Sequence, residues 1–282
     1  EVTRIQRRVT ESGGRNFVSE VDTYAFSGGL EGSFDFAQRY FDWDAGTVYG
    51  RNTLNASTTG LFNLQSLRLA LGPSYLDAAG QARCGTPAAP VADCVPLNLL
   101  GAAGSITPDM LDYISFVAHD RFGYEMQQYF ANLSGELFEL PGGMFSFAAG
   151  VEKRFESGYD EPDALINGGQ TTGNVRTATE GRYSVSEGYL ELAIPLLRDL
   201  PLAHALEFSL AARWSDYSTF GDTVNRKFGF KWRPIEDLLV RGNWAEGFRA
   251  PSVAELYTGV ADTFEATGDP CSTTFGGNYA NL

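Results

Sequence analysis

Leu206-Glu-Phe-Ser-Leu-Ala-Ala-Arg-Trp214 places Leu206, Phe208, Leu210, Ala212 and Trp214 at even positions, and Glu207, Ser209, Ala211 and Arg213 between them. Arg226 to Arg233 repeats the alternation, with Phe228, Phe230 and Trp232 against Lys227, Gly229, Lys231 and Arg233. Leu238 to Ala245 sets Leu238, Val240 and Trp244 against Arg241 and Asn243. A period of two means a strand with one apolar and one polar face. The apolar face carries large aromatics near the strand ends, and the polar face carries charges and glycine. That division points to an antiparallel transmembrane β-barrel wall, with lipid outside and a wet lumen inside. Leu206, Phe208, Leu210, Phe228, Phe230 and Val240 are expected to face lipid.

Composition agrees. Only 20% of the 282 residues are charged and 13% are aromatic, with 32 glycines, which suits a barrel wall, though soluble all-β proteins can match it. The net charge of −14 argues against nucleic acid or an anionic membrane surface as partner, since both need basic patches. No apolar run reaches the length of a membrane-spanning helix. The chain opens in mid-pattern at Glu1-Val-Thr-Arg-Ile5 and is read as part of a longer polypeptide.

Going back to the start, strands are expected at Val2–Arg8, Phe17–Asp35, Phe41–Arg51, Phe122–Phe138, Phe145–Phe155 and Arg182–Ile194, which with the three above makes about nine. The apolar faces are Tyr24, Phe26, Leu30 and Phe34; then Phe41, Trp43, Ala45 and Tyr49; then Phe145, Phe147, Ala149 and Val151. In Arg182–Ile194 the alternation is clean only in its second half. Short connections are expected at Phe36–Tyr40, Pro141–Gly143, Pro195–Pro201 and Pro234–Asp237. Long or variable ones fall at the other end: residues 52–120, Glu156–Glu180, Asp216–Asn225 and everything after Phe248. Outer-membrane barrels show this asymmetry. Within 52–120 a short helix is expected in Leu61–Leu71, and another from Thr107-Pro-Asp-Met-Leu111, with Leu111, Ile114, Val117 and Ala118 as its stripe.

Cys84 and Cys94 lie ten residues apart in a loop rich in Pro, Gly and Ala. A disulfide there would pin a loop without a core, contributing roughly 2–3 kcal/mol, and would imply an oxidising compartment; two free thiols are the alternative. Cys271 is then left without a partner up to Leu282.

Arg241-Gly-Asn-Trp-Ala-Glu-Gly-Phe-Arg-Ala-Pro-Ser-Val-Ala-Glu-Leu-Tyr257 resembles the barrel of TonB-dependent outer-membrane receptors, through Gly247, Phe248, Arg249, Ala250, Pro251, Ser252 and then Glu255, Leu256, Tyr257. Trp232 to Leu238, Arg213 to Gly221, Gly104 to Tyr113 and Asn132 to Pro141 are similar to that family too, so the likeness spans nearly the whole chain. The resemblance implies that residues 1–282 form part of a single barrel domain, without the plug domain and the C-terminal strands. It implies a Gram-negative cell outer membrane, with the long loops extracellular. It implies a TonB-type energy-transducing complex as partner, engaged through the plug, and import of a scarce nutrient: a siderophore, a cobalamin-like compound, a carbohydrate or a peptide.

The residues show no catalytic constellation and no cofactor or metal motif. His119 and His204 are isolated, Gly28-Gly-Leu-Glu-Gly32 lies inside a strand, and Asp42 and Asp44 read as lumen-facing carboxylates. Arg249 shares the parity of Arg241 and Asn243. It reads either as a contact to a plug or an anionic substrate, or as a structural arginine paired with Glu246 or Glu255. Tyr159, Asp160, Glu161 and Asp163 in one loop, with Tyr257, Asp262, Phe264, Glu265 and Asp269 in another, form an acidic and aromatic set suited to a neutral hydroxyl-rich ligand; keeping the surface soluble is the plainer reading. Two other functions fit the pattern: a passive porin or adhesin barrel, and a soluble all-β carbohydrate-binding protein.

Overall fold

The computed structural model describes residues 7–259, 261 and 262. In chain order the elements are β1 (Asn16–Phe36), β2 (Arg39–Phe62), α1 (Leu64–Ala70), β3 (Ser74–Leu76), β4 (Ala82–Thr86), β5 (Ala89–Pro90), α2 (Pro108–Ile114), β6 (Ser115–Leu140), β7 (Gly143–Glu161), α3 (Ala164–Asn167), β8 (Thr179–Leu200), β9 (Ala203–Tyr217), β10 (Gly221–Ile235), β11 (Leu238–Ala245) and α4 (Val253–Tyr257).

Eight long strands form one antiparallel meander in the order β1-β2-β6-β7-β8-β9-β10-β11. The sheet does not close on itself, so among the described residues β1 and β11 are its two edges. Register fixes the faces. Leu210 stands opposite Leu192 on one side and Phe228 on the other, and Phe228 opposite Trp244. Phe41 stands opposite Phe34 and Gly135, and Trp43 opposite Leu133. Directly paired residues share a face, so every apolar set read from the sequence falls on one side of the sheet. That side is bare: Leu30 is 73% exposed and Phe26 65%. In water such a surface would drive association, whereas against hydrocarbon it is the ordinary outside of a barrel. Ten residues separate Tyr24 from Phe34 on β1. At about 3.3 Å per residue and a tilt of roughly 40°, they span about 25 Å, the height of a barrel's apolar band.

The strands outrun their sequence boundaries. β2 continues to Phe62 and β6 begins at Ser115, so the long connection is 63–114 and not 52–120. The next is 162–178 and not Glu156–Glu180. Beyond the apolar band both faces are wetted, so the ladder runs on without the alternation that announces it. The connection expected at Asp216–Asn225 is only Ser218 to Phe220, so that end of the wall is less uniformly long-looped than the sequence suggested. Pro195 lies inside β8, at a register shift between Pro195 and Leu197, where a bulge spares the missing N–H. The turn there is Pro201-Leu202. Ala37 and Gln38 both take positive φ, 51° and 61°, the primed hairpin geometry that suits the strand twist. Neither residue advertises a turn. Of the expected Val2–Arg8 strand, residues 1–6 lie outside the described residues, and Arg7 and Arg8 are not in a strand.

Both expected helices form. The Asn63 side chain caps α1, accepting from the Gln65 N–H at 2.8 Å. Thr107 caps α2, with Pro108 opening the helix. α2 ends at Ile114, however, so Val117 and Ala118 belong to β6 and not to its stripe. Ala118 instead packs with Leu61 and Ile166 in a small core where the loops meet the wall.

Candidate functional site

The polar face of the sheet is a network of charges and hydrogen bonds. Arg154 on β7 donates to Glu156 at 2.7 Å and to Glu152 at 3.1 Å, and approaches Glu187 on β8 at 3.9 Å. Arg213 on β9 stands 3.9 Å from the same Glu187, which also accepts the Ser215 hydroxyl. The Tyr124 hydroxyl donates to Glu156 at 2.7 Å. Lower on the wall the Tyr189 hydroxyl donates to Asn132, whose amide donates to Asp44 at 2.8 Å. Strand pairing makes the contacts between strands, while Glu152 and Glu156 meet Arg154 as its neighbours two residues away on the same face of β7. Beside them a concavity of about 720 Å³ is lined by Phe130, Tyr189, Arg213 and Lys227 among others. Among the described residues no group of His, Cys, Asp or Glu is arranged to hold a metal ion.

Above this network lies the segment that carries the Gly-Phe-Arg-Ala-Pro-Ser run. After β11 it turns back across the polar face and forms α4. Ser252 and Glu255 make a reciprocal capping box. Val253, 5% exposed, packs on Tyr183, Val185 and Tyr217, with Ala250, Leu256 and Tyr124 around them. Phe248 joins an aromatic group with Tyr217 and Phe220. The Tyr257 ring lies over Gly181, where a Cβ would come within 2.1 Å of it, and its hydroxyl donates to the Arg182 carbonyl at 2.8 Å. Arg249 makes a two-pronged pair with Glu255 at 2.9 and 3.0 Å. Of the readings for Arg249, the geometry supplies the structural pair with Glu255; Glu246 turns instead to Arg226. The arginine and two donors from Ser252 hold the Glu255 carboxyl at about 2, well below its ordinary value.

The loop residues singled out from sequence do not converge. Tyr159 lies on the outer face, across Gly123. Asp160 pairs with Arg176 at 3.6 Å, and Glu161 with Arg121 at 2.5 Å. Asp163 caps α3 through Leu165 N–H and accepts the His119 backbone N–H. Asp262 bonds through its backbone to Val175 and Asn174. Phe264, Glu265, Asp269 and Cys271 lie outside the described residues. His204 sits 3.6 Å from Asp199 beside a hairpin turn.

In the connection 63–114, β3, β4 and β5 form a small separate sheet, and Cys84 and Cys94 are joined with Cα atoms 5.9 Å apart. A second tie was not foreseen. Arg7 donates to the Leu99, Gly101 and Ala102 carbonyls and to Ser105, and pairs with Glu11 at 2.6 Å. Glu11 in turn accepts the Gly104 N–H. Backbone donors, with Arg7, lower the Glu11 carboxyl to about 2.

A family model described as TonB dependent receptor-like, beta-barrel, matches residues 3–282. No curated protein and no solved structure matches the chain.

Proposed function

We propose, on the premise that this chain belongs to the TonB-dependent receptor β-barrel family of outer-membrane transport receptors, that it is the wall of an importer for a neutral, hydroxylated nutrient. In this reading the two-residue hairpin turns face the periplasm, and the connections 63–114 and 162–178 face the exterior, where substrate is met. Energy coupling would come through a plug in the lumen, standing against the Arg154 and Glu187 network.

The observation that carries the substrate class is the state of the loop cations. An anionic chelate needs an open basic site. Arg7, Arg83, Arg121 and Arg176 are each tied to a carboxylate, whereas Arg68 on α1 and Arg15, which donates to the Thr172 carbonyl, are in no ion pair among the described residues. Glu161 is taken up in the tie to Arg121, and Asp160 stands 3.6 Å from Arg176, so most of the charge in the loops is paired and aromatic rings and backbone groups make up much of what a ligand meets. Sugar-like ligands bind through such surfaces, by stacking and neutral hydrogen bonds. The test is uptake by the intact receptor. Competition by neutral oligosaccharides, with none from anionic ferric chelates, is expected. Tight uptake of an anionic chelate, unaffected by Asp160→Asn, Glu161→Gln and Asp163→Asn together, would refute the substrate class.

A further inference from the structure

The polar face of the wall carries two blocks of opposite charge. Glu31, Asp44, Asn132, Gly150, Tyr189 and Arg213 are successive register partners, so the carboxylates of β1 and β2 share the face of the Arg154 network. Asp35 and Asp42 keep the same parity on their strands. Toward the other edge of the sheet, Arg213 stands opposite Asn225, and Lys231 and Arg233 keep that parity on β10. Lys231 faces Arg241 on β11, while Arg233 and Arg198 stand on either side of Ala205. Each of these acids, and each of Arg198, Lys231, Arg233 and Arg241, lies within five residues of the hairpin end of its strand.

Neither block is neutralised by the wall itself. Like charges stand directly opposite in both, Glu31 with Asp44 and Lys231 with Arg241, an arrangement that costs stability. Asp44 accepts the Asn132 amide, and Lys231 pairs with Glu207 at 3.1 Å. The four carboxylates and the three arginines are in no ion pair among the described residues. Arg39, at the acidic hairpin, donates to the Met144 sulfur instead. The nearest members of the two blocks, on β2 and β8, are three strands apart. At about 4.8 Å per strand that is about 14 Å. The screening length at physiological ionic strength is about 8 Å, so neither block offsets the other.

We propose that the two blocks are a docking surface for the plug and fix its rotation in the lumen. A basic patch of the plug stands on β1 and β2, and an acidic patch stands on β8, β10 and β11. Complementary charge sets the register of an interface, because the wrong rotations bring like charges together. Water in the lumen would leave both like-charged pairs uncompensated, whereas a body carrying both signs relieves them at once. The inference rests on the plug of the reading above and not on the class of substrate.

The experiment uses the intact receptor, carrying the photo-crosslinker p-benzoylphenylalanine in place of Ser33, which stands opposite Asp42, or in place of Ala205. Mass spectrometry identifies the captured peptides. Ser33 is expected to capture a plug segment with more Lys and Arg than Asp and Glu, and Ala205 a different segment with the opposite excess. Hydrogen exchange on the same segments is the second readout. Glu31→Gln with Asp42→Asn and Asp44→Asn is expected to lower the protection of the segment captured at Ser33 and leave that captured at Ala205 unchanged. The triple change relieves repulsion within the wall, so loss of the barrel is not its expected effect. Segments of reversed or unbiased charge, one segment captured from both positions, or protection unchanged by the triple change would overturn the docking orientation while leaving the plug in place. Capture of nothing beyond the wall at either position would overturn the plug reading and this inference with it.

Discussion

Leu210→Arg tests the assignment of the two faces most directly. On β9 the outward set runs from Leu206 to Trp214, and Leu210 is its midpoint, flanked by Leu192 and Phe228 on the neighbouring strands. Four residues to either end, at about 3.3 Å each and tilted roughly 40°, put it about 10 Å inside both borders of the band. A guanidinium there meets hydrocarbon on every side but the wall, and the expected cost is about 2–4 kcal/mol. That is a factor of roughly 30 to 1,000 in the folding equilibrium, at tenfold for each 1.4 kcal/mol. Trp214→Arg, at the border, is expected to cost about 0–1 kcal/mol. Ala211→Arg points the other way, between Glu191 and Lys227. It is the better inner control, because Ser209 presses on Gly229, whose added Cβ would come within 2.5 Å of it. The assay is reversible denaturant unfolding of the intact receptor from lipid vesicles, comparing midpoints at constant slope. Equal destabilisation at 210, 211 and 214 would refute the division into lipid and lumen faces.

Cys94→Ser is expected to loosen the small sheet by roughly 2.8 kcal/mol, from the closure entropy of a loop this short; limited proteolysis should then cut within 63–114, leaving the wall intact. The Glu11 carboxyl, lowered to about 2, stabilises docking of residues 7–14 on the loop above its ordinary value near 4.5. That stability is lost as pH falls from about 4.5 toward 2, so the protection of the Gly104 amide relative to its intrinsic exchange rate should fall across that window, and in Glu11→Gln that protection should not change with pH there. Gly181→Ala puts a Cβ within 2.1 Å of the Tyr257 ring. It should release α4 from the wall, seen as faster exchange at Glu255 to Thr258, with the barrel midpoint unchanged.

Within the apolar band the sequence determined nearly everything. Alternation of apolar and polar side chains gave the strands, their faces and their meander, because a lipid exterior and a wet lumen leave no other arrangement of period two. The helix start at Thr107 was equally local, since a cap joins a side chain to the next turn of its own backbone, whereas the helix expected within Leu61–Leu71 had its start at Asn63 fixed only by the structure. Above the band the periodic signal fails, and β8 shows why. Its lower half alternates cleanly, through Leu190, Leu192 and Ile194. In its upper half the faces exchange character. Arg182, Ser184 and Ser186 point outward to water and headgroups, while Tyr183 and Val185 point inward and are buried under Val253. That burial depends on a segment some 70 residues later folding back, which no local pattern encodes. The same holds for Arg154 reaching Glu187 on β8, though its contacts to Glu152 and Glu156 are local to one face of β7, and for Arg7 on the 98–105 loop. Their partners come from register and from long loops meeting in space. Only the tertiary structure decided that Arg249 closes on Glu255, and that Asp160 and Glu161 face Arg176 and Arg121.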